Sequence, residues 1–289
     1  MKKLGNNHEV VCMLDLKYKQ TQVCSSFAYG NAFIKFDNKD DLSKLSLCIS
    51  GKRNIGLDKL KNIFFRIWEM LYFFNGFFPV LLDISFDGKE DKFFPKRMAR
   101  QWCTTKSFSL IRSNNRLCFI SQETLNCSTL KNYASLKAVL KYPLSSIFAV
   151  QSYDDIYGEH RFVLASHAAE GIIEEKYDSR LSNHNFQGRM EFLFEPLLNA
   201  NRKYKTKLFS SIGLSQNAYF KLLKDTRHFY SHLAKERKRF TDGKEFVSDY
   251  WILSLAIRMF IMQEIGVNYE ASLYKANATA IAEWIVKYR

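Results

Sequence analysis

The segment Asp225-Thr226-Arg227-His228-Phe229-Tyr230-Ser231-His232 puts a permanent cation, two imidazoles and a carboxylate within eight residues. RNA carries its own nucleophile, the 2′-hydroxyl. Cleaving RNA means removing that proton, stabilising charge on the phosphorane oxygens and protonating the leaving 5′-oxygen. An imidazole, with an unperturbed pKa of about 6.5, gives or takes a proton near neutrality. A guanidinium stays charged and grips phosphate oxygens in bidentate fashion. The substrate supplies the nucleophile, so this chemistry calls for no metal or other cofactor, and DNA, which lacks the 2′-hydroxyl, is unsuited to it.

Geometry narrows the choice. Residues four apart on a helix lie about 6 Å apart on nearly the same face, so His228 and His232 stack. Arg227 and His232 are five apart, roughly 140° round the axis. One helix brings both to a small target only through the length of arginine. Two copies packed side by side do so more easily, which favours a homodimer with the site at its interface. Other readings stay open. An arginine and a histidine with four residues between them arise by chance in many chains, as surface residues of a structural helix. His228, His232 and Glu236 also have metal-ligand spacing, at i, i+4 and i+8. No second cluster completes such a site, and His167 and His184 approach it only through tertiary folding.

The elements that must position these residues follow from periodicity. Ser215 is an N-cap for a helix carrying Phe220, Leu223, Phe229, Tyr230 and Leu233, broken at Asp242-Gly243. Helical patterns also cover Phe162 to Tyr177, Phe186 to Leu198 with Pro196 near its end, Phe246 to about Gly266, and about Tyr269 onward. Five helices joined by short turns make a bundle. Before residue 155 the character is that of short β-like runs and turns. Ala32 to Phe36 and Leu45 to Ile49 alternate as strands do. Leu57, Leu60, Ile63, Phe64, Ile67, Trp68 and Leu71 form the apolar face of a helix closing at Asn75-Gly76. The aromatics at 64–78 fall at core spacing. Pro79 to Phe86 reads as a buried strand, and Phe108 to Ile111 with Arg116 to Ile120 as a hairpin. The fold class is α+β: an N-terminal mixed α/β-sheet domain over 1–157, then an all-α bundle over 158–289.

Composition agrees with a packed protein that meets a polyanion. The 289 residues are 47% hydrophobic and carry a formal charge of +14. That charge fits nucleic acid or an acidic membrane surface without choosing between them. From Arg202 to Arg239 there are eleven Lys/Arg against two acids, so the charge gathers around the histidine helix. Lys224, Lys235, Arg237, Lys238 and Arg239 are candidates for RNA backbone contact, against the plainer reading of a solvated helix end. The six cysteines form no CxxC pair, which argues against a zinc ribbon and fits reduced thiols in a cytoplasmic protein. The first residues have no apolar stretch of signal-peptide kind. The greasiest segment, Met70 to Leu82, is too short for a membrane span of roughly 20 residues.

The segment Asp225 to His232 resembles the HEPN superfamily of ribonucleases, whose hallmark is an arginine, a polar residue and a histidine a few residues on. Its wording is similar to the ApeA-type HEPN domain of prokaryotic anti-phage systems, and so is the late apolar helix Ile257 to Gly266. The resemblance covers about residues 158–289; the first half is similar to ApeA amino-terminal domains only in outline, at 57–86. It implies a metal-independent, homodimeric endoribonuclease that leaves a 2′,3′-cyclic phosphate. The implied RNA is tRNA or another host RNA, cut during abortive infection on a phage-protein trigger. Arg227 and His232 take the catalytic pair, and His228 the polar position. The alternative is a catalytically silent HEPN module that binds RNA or protein, as an antitoxin or a phage sensor.

Overall fold

A computed structural model of the protein describes residues 8–16, 22–51, 55–76, 79–90, 124–152, 158–199, 209–210, 212–232 and 243–267. Within its first 90 residues, six strands pair antiparallel in the order β2-β3-β4-β1-β5-β6. They are β1 Glu9–Asp15, β2 Cys24–Tyr29, β3 Ala32–Asp37, β4 Lys44–Gly51, β5 Val80–Phe86 and β6 Lys89–Glu90. Strict alternation builds the buried face. Val10, Cys12 and Leu14 lie opposite Ile49, Leu47 and Leu45, and Ile34 and Phe36 stand opposite Ile49 and Leu47 from the other side. Two tight turns set the register. Tyr29 pairs with Ala32 around Gly30, and Phe86 with Lys89 around Asp87-Gly88, where both turn residues have positive φ, at 52° and 73°. Asp-Gly is the pair that such a turn selects.

Helix α1, Leu57–Asn75, covers the sheet with Leu60, Ile63, Phe64, Ile67, Trp68 and Leu71, the stripe its periodicity predicts. Gly76 ends it in the left-handed region, its N–H on the Tyr72 carbonyl at 2.7 Å. The Trp68 indole N–H donates to the Pro79 carbonyl at 2.9 Å and ties the exit of α1 to the entry of β5.

Strand β5 departs from the sequence expectation. It is not buried throughout: Leu81 and Ile84 are, whereas Leu82 is 45% exposed and Asp83 faces solvent. The cause is a bulge. Met13 pairs with Asp83 and Leu14 with Leu81, so Leu82 has no opposite number and the alternation slips.

Two further helices precede residue 155, where the sequence reading expects β-like runs: α2, Cys127–Val139, and α3, Lys141–Ser152. Leu130, Tyr133, Leu136, Leu140, Leu144 and Ile147 are buried at three- and four-residue steps. Asn126 accepts the Thr129 N–H at 3.0 Å as a cap for α2. The 108–120 hairpin, Leu233 and the helix from Tyr269 lie outside the described residues.

The helical part continues with α4, Gly158–Lys176, a 3₁₀ turn at Asp178–Arg180, α5, Phe186–Asn199, α6, Gln216–His232, and α7, Gly243–Glu264. The chain divides into two units, one holding residues through Ser135 with Ile265–Val267, the other Leu136–Glu264. In the second, α4 is the hub, packing on α3, α5, α6 and α7. Its Gly171 lets α3 come close, since a Cβ there would lie 3.1 Å from the Pro143 ring. Edge-on aromatic contacts lock the other helices: Phe194 to Phe220 at 5.0 Å, and Tyr177 to Phe260 at 5.1 Å. The α+β organisation is the one the sequence implies, an antiparallel sheet followed by helices. Among the described residues no helix is long and apolar enough to cross a membrane.

The bulge makes neighbouring leucines unequal. Leu81→Ala, emptying a core position, should cost about 2–5 kcal/mol of unfolding free energy. Leu82→Ala should cost under about 1 kcal/mol. Denaturant titration of both variants checks this, and equal costs would place Leu82 in the core.

Candidate functional site

Helix α6 begins where Ser215 caps it, its hydroxyl accepting the Ala218 N–H at 3.2 Å. Tyr219, Phe220, Leu223 and Thr226 form the buried stripe. The Tyr219 hydroxyl donates to Asp249 of α7 at 2.7 Å in the interior. With that stripe anchored, the last two turns carry Arg227, His228, Ser231 and His232 toward the protein surface; His232 is exposed and the other three are half-buried. The rings of His228 and His232 lie 4.7 Å apart, inclined at 52°, as their four-residue spacing dictates.

Arg227 does not reach freely into solvent. Its guanidinium folds against α4 and α5, and its side chain is 18% exposed. Nη1 donates to Glu170 of α4 in a short ion pair and lies 3.4 Å from Nδ1 of His167, also on α4. The guanidinium carbon sits 4.8 Å from the centre of the Phe186 ring at the start of α5, a cation–π contact. Nε of Arg227 is buried and has no partner among the described residues.

Glu170 is itself shared. Its second oxygen accepts Arg189 Nη1 of α5 at 3.1 Å. Arg189, 12% exposed, also reaches Glu174 at 3.3 Å and, through Nε, Asp178 at 3.1 Å. Hydrogen bonds from His184 and from Arg189 hold the Asp178 carboxyl below the usual carboxylate range. Charges therefore alternate from Asp178 through Arg189 and Glu170 to Arg227, across α4, α5 and α6.

His167 sits at the surface with its ring against α6. Its Nε2 is 3.1 Å from Ser231 Oγ. Partial burial, then the Arg227 charge and a smaller push from His232, lower its pKa from 6.5, while Glu170 opposes them. Within one chain, Arg227, Ser231 and His232 thus all bear on one α4 imidazole.

Of the residues singled out from sequence, Arg227, His228, His232 and Lys224 share α6. Lys235, Arg237, Lys238, Arg239 and Glu236 lie outside the described residues. Among the described residues no group of three His, Cys, Asp or Glu could hold a metal ion. Sequence reasoning missed Glu170 and considered His167 only as a distant metal ligand. The one available signal was their i, i+3 spacing on α4, which puts both on one face. A polar cleft of about 300 Å³ between Arg180, Asn183, Glu191, Glu195 and Gln216 includes neither Arg227 nor His232.

The lowered His167 pKa has a sign for stability. The unfolded chain takes up the proton first, so the contribution of His167 is fully present above pH 6.5 and is lost as pH falls below it. Denaturation midpoints of wild type should therefore fall more between pH 7 and pH 5 than those of His167→Asn, which cannot titrate. Equal falls would mean the ring is unperturbed.

Residues 154–271 match the family model described as Apea-like HEPN. No curated protein and no solved structure matches the chain. The matched stretch spans α4 to α7 and holds the cluster around Arg227, and this part of the chain is a HEPN domain of the ApeA type.

Proposed function

We propose that the HEPN domain is a metal-independent endoribonuclease acting in anti-phage defence. A domain of this type goes with nuclease or RNA-binding work in defence; the cutting itself is the proposal. The observation that carries it is Arg227. A guanidinium drawn out of bulk water, held by Glu170 and flanked by the imidazole of His167, ends one turn from the exposed imidazole of His232.

In the proposed reaction one imidazole takes the 2′-hydroxyl proton and the oxygen attacks the adjacent phosphorus. Arg227 donates N–H groups to the phosphorane oxygens as charge builds, where partial desolvation makes each bond count for more. A protonated imidazole gives its proton to the departing 5′-oxygen, leaving a 2′,3′-cyclic phosphate and a 5′-hydroxyl. His232 serves as acid or base, and His228, its ring 4.7 Å away, orients it or shares the transfer. Two chains paired through this domain supply two such helices, so that an arginine of one and a histidine of the other converge on one phosphodiester. Lys224, Lys235, Arg237, Lys238 and Arg239 hold the backbone of the RNA, tRNA being one candidate, and a phage protein is the candidate trigger.

One observation favours a second reading, that of a silent RNA-binding module: Glu170 already neutralises Arg227, and a phosphate must share or displace that carboxylate.

Purified protein incubated with total RNA in EDTA separates the two. Wild type should cleave. His232→Ala should lose about 10²–10⁴-fold in rate and Arg227→Ala about 10²–10³-fold, both still binding RNA. Salt-sensitive binding without cleavage would favour the binding module, and cleavage abolished by EDTA would refute the metal-independent mechanism.

A further inference from the structure

His167 touches the motif at two points one helical turn apart. Its Nδ1 faces Arg227 and its Nε2 faces Ser231. A guanidinium has only donors, so Nδ1 must present its lone pair to Nη1. The ring is then neutral, with its proton on Nε2, donating to the Ser231 hydroxyl. Were the ring protonated, an N–H would point at an N–H and the contact with Arg227 would be lost. One imidazole thus clamps positions 227 and 231 of α6, the turn that ends in His232.

We propose that His167 is a positioning residue of this site, holding Arg227 and the last turn of α6 only in its neutral, Nε2-protonated form. The inference rests on the ribonuclease reading and goes beyond it. It puts a third imidazole, from a different helix, in control of the motif, and makes the site lose its geometry in acid. The groups facing His167 are Arg227, Ser231 and His232 from α6 and Glu170 from its own helix, with Arg189 of α5 acting through Glu170. Arg227 and partial burial oppose protonation, and Glu170 favours it.

Because His167 acts through Arg227 and His232, its loss should strike turnover rather than binding. His167→Ala should lower kcat about 10–100-fold with KM within about 3-fold. His167→Asn places an amide oxygen where Nδ1 accepts. It should recover most of that loss at pH 7.5 and should lose one ionisation from the acid limb of the rate profile. Wild-type kcat in His167→Ala, or equal losses in both variants with an unchanged pH profile, would overturn the proposal. Proton–nitrogen NMR of the imidazoles gives a readout that needs no activity. The His167 ring should carry its proton on Nε2 and stay neutral below pH 6.5, and Arg227→Ala should raise its pKa. A ring protonated on Nδ1, or one indifferent to Arg227→Ala, would contradict the proposal even in an active enzyme. If wild type cleaves no RNA, the ribonuclease reading fails by itself and the NMR result alone decides the positioning role.

Discussion

The ion pair between Glu170 and Arg227 joins α4 to α6, and the rest of the site depends on it. Neither group is free in solvent, at 17% and 18% side-chain exposure. Partly buried pairs contribute little net stability, because desolvation of both ions offsets their attraction. Removing one partner is a different matter, since it leaves the other charge without compensation. The pair therefore does more to specify an arrangement than to stabilise the bundle. It requires Arg227 to lie along α4, where His167 and the Phe186 ring complete its surroundings. Arg189, bound to Glu170, Glu174 and Asp178, requires Glu170 in turn to stay where it is.

This arrangement reconciles two opposed demands. In the proposed ribonuclease Arg227 must be poised, which calls for fixed partners, yet it must have donors to spare for an incoming oxyanion. Glu170 takes one edge of the guanidinium at Nη1. A guanidinium carries five N–H groups, so others remain for a ligand. The carboxylate supplies the fixity, and in the proposed reaction its negative charge sets the threshold for a phosphate at Arg227.

How much of this was legible beforehand follows from separation along the chain. The strands at 32–36 and 45–49, helix α1 and the helices from α4 to α7 announce themselves through local periodicity, and Arg227, His228 and His232 through their crowding on one helix. Helices α2 and α3 had the same three- and four-residue signal at Leu130, Tyr133 and Leu136, but β-like runs earlier in that half drew the reading away from it. The bulge at Leu82 has no local signature, because it depends on how β5 pairs with β1. Glu170 and His167 were hidden for a related reason. They stand 57 and 60 residues before Arg227, and nothing in a count of charges near Arg227 points to a carboxylate on another helix. The eleven basic residues between 202 and 239 gather positive charge around α6, and the fold sets an acid from α4 against Arg227.

The most direct measurement of this account is a double-mutant cycle on Glu170 and Arg227, using Glu170→Gln, Arg227→Met and the pair together, read as unfolding free energy in denaturant. The account predicts a coupling above about 1 kcal/mol, beyond the range of exposed surface pairs. Additive losses, with a coupling within about 0.3 kcal/mol of zero, would contradict it, for Arg227 would then be an ordinary surface side chain that α4 does not hold.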